Sequence, residues 1–142
     1  ADKVVQYSTD DFHNVFKSKT EGQAVDLILD MIGGDYFEKN IDLLNVEGRL
    51  VSIAFLKGSS VKLDLGQLMM KRIQLTGSTL RPRSVEFKSQ VAGELRETVW
   101  PLLDSEKVRI HIDSVFPLEK FKDAHIQMES GNHLGKIILS LD

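Results

Sequence analysis

Apolar runs of strand length alternate along the chain with stretches of helical period. Val4-Val5-Gln6-Tyr7 reads as a short strand, and Val25–Ile32 as a mostly buried one closed by Gly33-Gly34. Asp35 stands three residues before Glu38, the spacing of a helix N-cap and its capping-box acid. Phe37, Ile41 and Leu44 follow at helical spacing, and Gly48 closes that segment. Arg49–Phe55 predicts another strand. After a turn at Lys57–Ser60, Val61, Leu63 and Leu65 alternate with Lys62 and Asp64. Leu68–Arg72 predicts a short helix and Ile73–Thr79 a strand. Beyond Arg81-Pro82-Arg83-Ser84, the residues Val91, Leu95, Val99 and Leu102 mark one face of a long amphipathic helix. Ile112–Phe116 predicts a short strand, Leu118, Phe121, Ala124 and Met128 a helix, and Lys136–Leu141 a final strand.

Such alternation predicts an α/β layer fold with a mainly parallel sheet. Ligands of such sheets sit at the carboxyl ends of the strands. The places to search are therefore Tyr7, Ile32-Gly33, Phe55-Leu56, Thr79-Leu80 and the turn before Lys136.

Composition narrows the chemistry. With 142 residues the chain matches one domain able to bury a core. Its net charge of −3 provides no global basic field for nucleic acid or anionic membrane. It has no cysteine, which removes disulfides, thiolate zinc ligands and a thiol nucleophile from this segment. No apolar run is long enough to span a bilayer, and a cytoplasmic location is expected.

Most isolated motifs have ordinary explanations. Gly33-Gly34 between a strand and a helix has the outline of a phosphate loop, but Asp35 and Glu38 put carboxylates at the same helix end. No Gly-x-Gly-x-x-Gly or Walker sequence is present. His125 and Glu129 share a helix face and read as a surface pair, and no metal site is expected. Lys71, Arg72, Arg81, Arg83 and Lys88 read as a solvated face or a subunit contact, and Trp100 as packing.

The order of these segments resembles the cofactor-binding half of medium-chain dehydrogenase/reductases, and within them the zeta-crystallin-type quinone oxidoreductases. The matching stretches are Ala1–Tyr7, Val25–Gly34, Gly48–Ile53, Leu75–Arg81 and Met128–Ile137. The resemblance implies that residues 1–142 are the later part of a dinucleotide-binding domain. That is a partial Rossmann-like, doubly wound parallel sheet of order 3-2-1-4-5-6. Val4–Tyr7 would be its third strand and Val25–Ile32 its fourth. The first two strands, the Gly-rich loop and the substrate domain would lie outside this chain. Weak or no NADPH affinity, no activity, and low stability or a rearranged sheet are expected of the isolated segment.

The resemblance also implies a function. The full-length protein would transfer hydride from NADPH to a quinone or related enone. Tyr7 would lie beside the adenosine ribose and its 2′-phosphate, and Met31, Ile32 and Gly33 would approach the cofactor. Ala54, Phe55 and Leu56 would run past the nicotinamide ribose and ring. Ser78, Thr79 and Leu80 would offer backbone groups to the carboxamide, and Asn132 would close the site. No catalytic acid or base maps onto these residues. An enoyl-thioester reductase and a zinc alcohol dehydrogenase share this pattern, and a homodimer through the Ile73–Thr79 strand is implied. A non-catalytic dimerisation module stands as the alternative from another class.

Overall fold

The computed structural model describes residues 3–19 and 24–141. Ala1 and Asp2, at the head of the first matching stretch, lie outside them. The chain resolves into two compact units, Ala1–Pro82 and Arg83–Asp142.

The first unit is a parallel sheet with helices on one face. Strands β1 (Val25–Asp30), β2 (Leu44–Ser52) and β3 (Gln74–Gly77) lie in the order β1-β2-β3. All pairs are parallel, and Ile28, Leu50 and Leu75 stand side by side in register. Helices α2 (Tyr36–Leu43) and α3 (Leu65–Lys71) form the crossovers, as parallel neighbours require. The core is Phe37, Ile41, Leu44, Leu50 and Ile73, with Val25, Ile28, Leu63, Leu68 and Leu75 packed against it. Each fully buried aliphatic side chain there contributes roughly 2 kcal/mol. Leu27 and Leu29 point the other way along β1 and are exposed.

Helix α1 (Phe12–Lys19) begins at Asp11, whose carboxylate accepts from the backbone N–H groups of His13 and Asn14. It is held to α2 by polar contacts. His13 Nε2 lies 2.6 Å from Asp42, and the Lys17 ammonium pairs with the same carboxylate. These two partners, Lys17 first, hold the Asp42 carboxyl below its ordinary pKa. Phe12 stacks on Tyr36 with ring centroids 4.7 Å apart.

Several boundaries depart from the periodicity. Val4–Tyr7 is not a strand. No strand lies beside it among the described residues, and its backbone closes a turn instead, with Thr9 and Asp10 donating to the Gln6 carbonyl. β1 stops at Asp30, and β2 starts at Leu44 and stops at Ser52, so Ile53–Phe55 leave the sheet. The early start of β2 requires an irregular register between Val25 and Leu27 and a left-handed Glu47 (φ 66°). Val61–Leu63 is irregular, and the following Asp64 caps α3 by accepting from Gly66 and Gln67.

The expected Asp35 capping box does not form. Asp35 has helical dihedrals, so its side chain does not cap, and it faces Lys57 at 3.6 Å. The expected basic face is also dispersed. Lys71 donates to the carbonyls of Ile41, Asp42 and Leu44 at 3.2, 2.8 and 2.9 Å, and Arg72 pairs with Glu47 at 3.0 Å.

In the second unit, β4 (Ile112–Pro117) and β5 (Lys136–Ser140) form a separate parallel pair. They are joined through a short 3₁₀ turn and α6 (Phe121–Ser130). Both groups of strands are parallel, the arrangement that the alternation predicts. The long amphipathic helix is divided into α4 (Val85–Thr98) and α5 (Trp100–Asp104). Pro101 lacks the N–H that an unbroken helix needs there. Trp100 is 56% exposed, against its expected role in packing.

Lys71 ties α3 to the end of α2, through the carbonyls of Ile41 and Asp42, and to the start of β2, through that of Leu44. Replacing Lys71 by Met leaves those acceptors without their charged donor. We expect Lys71→Met to lower the unfolding free energy by about 2 kcal/mol. Urea denaturation followed by circular dichroism checks this, and an unchanged midpoint contradicts it.

Candidate functional site

The carboxyl ends of β1, β2 and β3 lie side by side, because parallel strands in register finish at one edge. Three of the predicted segments, Met31–Gly33, Ala54–Leu56 and Ser78–Leu80, follow these ends. Backbone bonds carry the alignment past the sheet. Ile53 donates to Asp30 at 2.8 Å, Leu56 to Met31 at 3.1 Å, Lys57 to Ile32 at 2.8 Å and Ser78 to Ser52 at 3.0 Å.

Asp30 shapes the first of these ends. Its side chain is 4% exposed, and its carboxylate accepts from the N–H groups of Ile32 (2.8 Å) and Gly33 (3.2 Å). These amides are therefore already engaged by the protein's own anion. Gly33 (φ +65°) then brings the chain against the next loop. A Cβ there would lie 2.5 Å from the Gly58 carbonyl oxygen. Gly34 donates to that same carbonyl at 3.0 Å. Lys57, from the same loop, lies over the Tyr36 ring at 4.7 Å and faces Asp35. Sequence reasoning missed Asp30, although an acid within an apolar run, three residues before a pair of glycines, was a usable signal.

The exposed surface of this edge is apolar. Met31, Ile53, Phe55, Leu56 and Leu80 are all exposed large hydrophobic residues. Between the ends of β2 and β3 lies a cleft of about 480 Å³, lined by Ile53, Ser78, Thr79, Leu80, Arg81 and Pro82. A second cleft of about 420 Å³, between α2 and the segment before α3, is lined by Phe37, Ile41 and Lys62 among others. It is away from the strand ends.

The other two predicted residues are placed differently. Tyr7 is 74% exposed in the turn that replaces its strand. Asn132 lies in the second unit, in the loop between α6 and β5. Its N–H donates to Ser130 Oγ at 3.2 Å. Two residues on, Leu134 N–H donates to Asp113 at 3.0 Å. That bond is the main cause that holds the Asp113 carboxyl below its ordinary pKa.

The edge fits the ring end of a nicotinamide cofactor in character: apolar side chains for a flat ring, and hydroxyls at Ser78 and Thr79. It does not provide a diphosphate site at the β1 turn, where Asp30 engages the amides. Zinc does not fit either. No group of three ligating side chains exists among the described residues, and the chain has no cysteine. His125, read from the sequence as half of a surface pair with Glu129, packs edge-on against Phe121, with centroids 6.4 Å apart. No helix among the described residues is long and apolar enough to cross a membrane.

The family model for zinc-binding dehydrogenases matches residues 1–139. Quinone oxidoreductase-like protein 2 of Mus musculus is 28% identical over 138 residues, covering 96% of this chain and 39% of that protein. A 2-haloacrylate reductase of a Burkholderia species is 29% identical over 141 residues, covering 96% of this chain and 41% of that protein. The crystal structure of Escherichia coli quinone oxidoreductase complexed with NADPH superposes with a TM-score of 0.75 at 25% identity. It covers 96% of this chain and 42% of that one. The chain thus spans about two fifths of the length of the curated relatives it matches.

The close approach of Gly33 to Gly58 gives a direct test of the edge. Gly33→Ala adds a methyl group 2.5 Å from a carbonyl oxygen at a left-handed φ. We expect a loss of about 2 kcal/mol in stability, read as a lower midpoint in thermal denaturation. A midpoint equal to that of the parent contradicts the described packing.

Proposed function

The chain belongs to the zinc-binding dehydrogenase family, within the medium-chain dehydrogenase/reductases, and from that premise we propose that it is part of an NADPH-dependent oxidoreductase acting on a quinone or related enone. The observation that carries this reading is the shared, exposed apolar edge formed by the ends of three parallel strands. The relatives support it by their own descriptions as quinone oxidoreductase-like and as a reductase of a haloacrylate.

In this reading residues 1–142 are the later part of the dinucleotide-binding domain. Met31, Ile32 and Gly33 approach the cofactor, and Ala54, Phe55 and Leu56 run along the nicotinamide ribose and ring. Ser78, Thr79 and Leu80 present backbone groups to the carboxamide. Tyr7 and Asn132 are the further cofactor contacts, Tyr7 toward the adenosine ribose and its 2′-phosphate. When bound, the cofactor supplies the hydride. The chain's own part is orientation and exclusion of water. Phe55, Leu56 and Leu80 offer apolar surface, and the backbone bonds from Ser78 to Ser52 and from Leu56 to Met31 fix their relative height. The three segments contain no carboxylate, imidazole or amine, which suits an acceptor that takes hydride at an electron-poor carbon. The same chemistry serves an enoyl thioester.

The test is NADPH oxidation by the full-length protein, with a quinone, a simple enone and an enoyl thioester offered in parallel. We expect turnover of the quinone or enone in preference to the thioester. Turnover of the thioester alone selects the enoyl reductase alternative, and the absence of both NADPH binding and oxidation rejects the proposal.

A second reading concerns assembly. β3 stands at the outside of its sheet, and an open edge strand favours pairing with another copy. We propose a homodimer through the Ile73–Thr79 strand. Sedimentation equilibrium is expected to give twice the monomer mass, and a strict monomer at high concentration contradicts it.

A further inference from the structure

Asp113 is the second residue of β4, and the ladder to β5 steps past it. Ile112 pairs with Lys136 and Ser114 with Ile137, so Asp113 is the extra residue of a bulge. A bulge turns a side chain away from the direction that a regular strand would give it. Here the turned side chain is a carboxylate with both oxygens occupied. Oδ1 accepts from the Leu134 N–H at 3.0 Å, and Oδ2 accepts from Gln127 Nε2, on α6, at 2.6 Å. The carboxyl lies below its ordinary pKa, chiefly through the Leu134 bond, so at neutral pH a charged acceptor makes both bonds. One side chain thus ties the loop 131–135 to β4 and to α6.

The loop is fixed on both sides of Asn132. Before it, Ser130 Oγ accepts from the Asn132 N–H at 3.2 Å and donates to the Gln127 carbonyl at 2.7 Å. After it, Gly135 (φ +103°) runs so close to the His111 carbonyl that no Cβ fits between them. Lys136 donates to that same carbonyl at 2.9 Å. His133, the next residue after Asn132, has its Nδ1 buried. The Asn132 side chain, by contrast, is exposed and has no hydrogen-bond partner among the described residues. A short loop anchored at both ends, with one free carboxamide between the anchors, presents a group that both donates and accepts.

We propose that Asp113 is a positioning residue for the cofactor, holding this loop so that Asn132 meets bound NADPH. The inference rests on the oxidoreductase reading, which sets Asn132 against the cofactor. Asp113 acts through the loop and makes no contact with the cofactor itself. Without it, the loop between α6 and β5 keeps its two ends but loses the bond at Leu134. Binding must then order the loop as well as fill the site, and affinity falls by that cost.

NADPH binding to the full-length protein, followed by the fluorescence of the reduced nicotinamide, tests this. Asp113→Ala and Asn132→Ala should each weaken binding about tenfold. The double variant should bind no more weakly than the weaker of the two single variants, because Asp113 acts only through Asn132. Asp113→Asn keeps an oxygen for the Leu134 amide and should lose only about threefold. Hydrogen exchange read by mass spectrometry should be faster across residues 131–135 in Asp113→Ala and unchanged across β5. If Asp113→Ala loses its thermal transition, the same cycle built on Asp113→Asn and Asn132→Ala decides in its place. Unchanged NADPH affinity in either single variant overturns the proposal and leaves the oxidoreductase reading standing. Losses that simply add in the double variant also overturn it, since Asp113 would then act by another route. A parent protein that binds no NADPH rejects both the proposal and the oxidoreductase reading.

Discussion

The candidate site depends on a buried carboxylate. Asp30 ends β1 inside the protein, where an anion without partners is expensive. It is accommodated because the chain turns at once and presents the amides of Ile32 and Gly33 to it. That turn needs a residue with a left-handed backbone, and Gly33 supplies it. The turn then approaches the loop after β2 so closely that only hydrogen fits at the Gly33 α-carbon. Two strand ends become one rigid edge, and the bond from Ser78 to Ser52 adds the third. The same carboxylate engages the amides of Ile32 and Gly33, so they are not open to another anion.

Much of this was legible in the amino-acid sequence, and the failures have physical causes. The β-branched run from Val25 and the apolar run around Leu50 are strands because their side chains meet a helix face from α2 and α3. Val4–Tyr7 has the same composition but no strand beside it among the described residues, and a strand's backbone requires a neighbour. Asp35 and Glu38 had the spacing of a capping box, but spacing does not report dihedrals, and Asp35 is already helical. The four apolar positions from Val91 to Leu102 suggested one helix, and Pro101 divides it. Lys71 looked like one charge in a basic stretch. Its partners are carbonyls about 30 residues away in sequence, which no local pattern reveals.

The candidate site was legible as positions rather than as chemistry. Strand ends can be read from periodicity, and the rule that ligands gather there pointed to Ile32-Gly33, Phe55-Leu56 and Thr79-Leu80. Which side chains remain exposed depends on the loops, and the exposure of Phe55 and Leu56 emerges only from the fold. The family name includes zinc, yet the described residues offer no set of ligands for it. What the described residues offer instead is the apolar edge at the strand ends, to which the proposed function assigns the flat ring of the cofactor.

The central claim is that the nicotinamide ring lies on the edge formed by β1, β2 and β3. Nuclear Overhauser contacts measured from the nicotinamide protons of NADPH bound to the full-length protein test it most directly. The account predicts contacts to the side chains of Phe55, Leu56 and Leu80. Contacts confined to the cleft beside Phe37 and Ile41, with none at the strand ends, would contradict it.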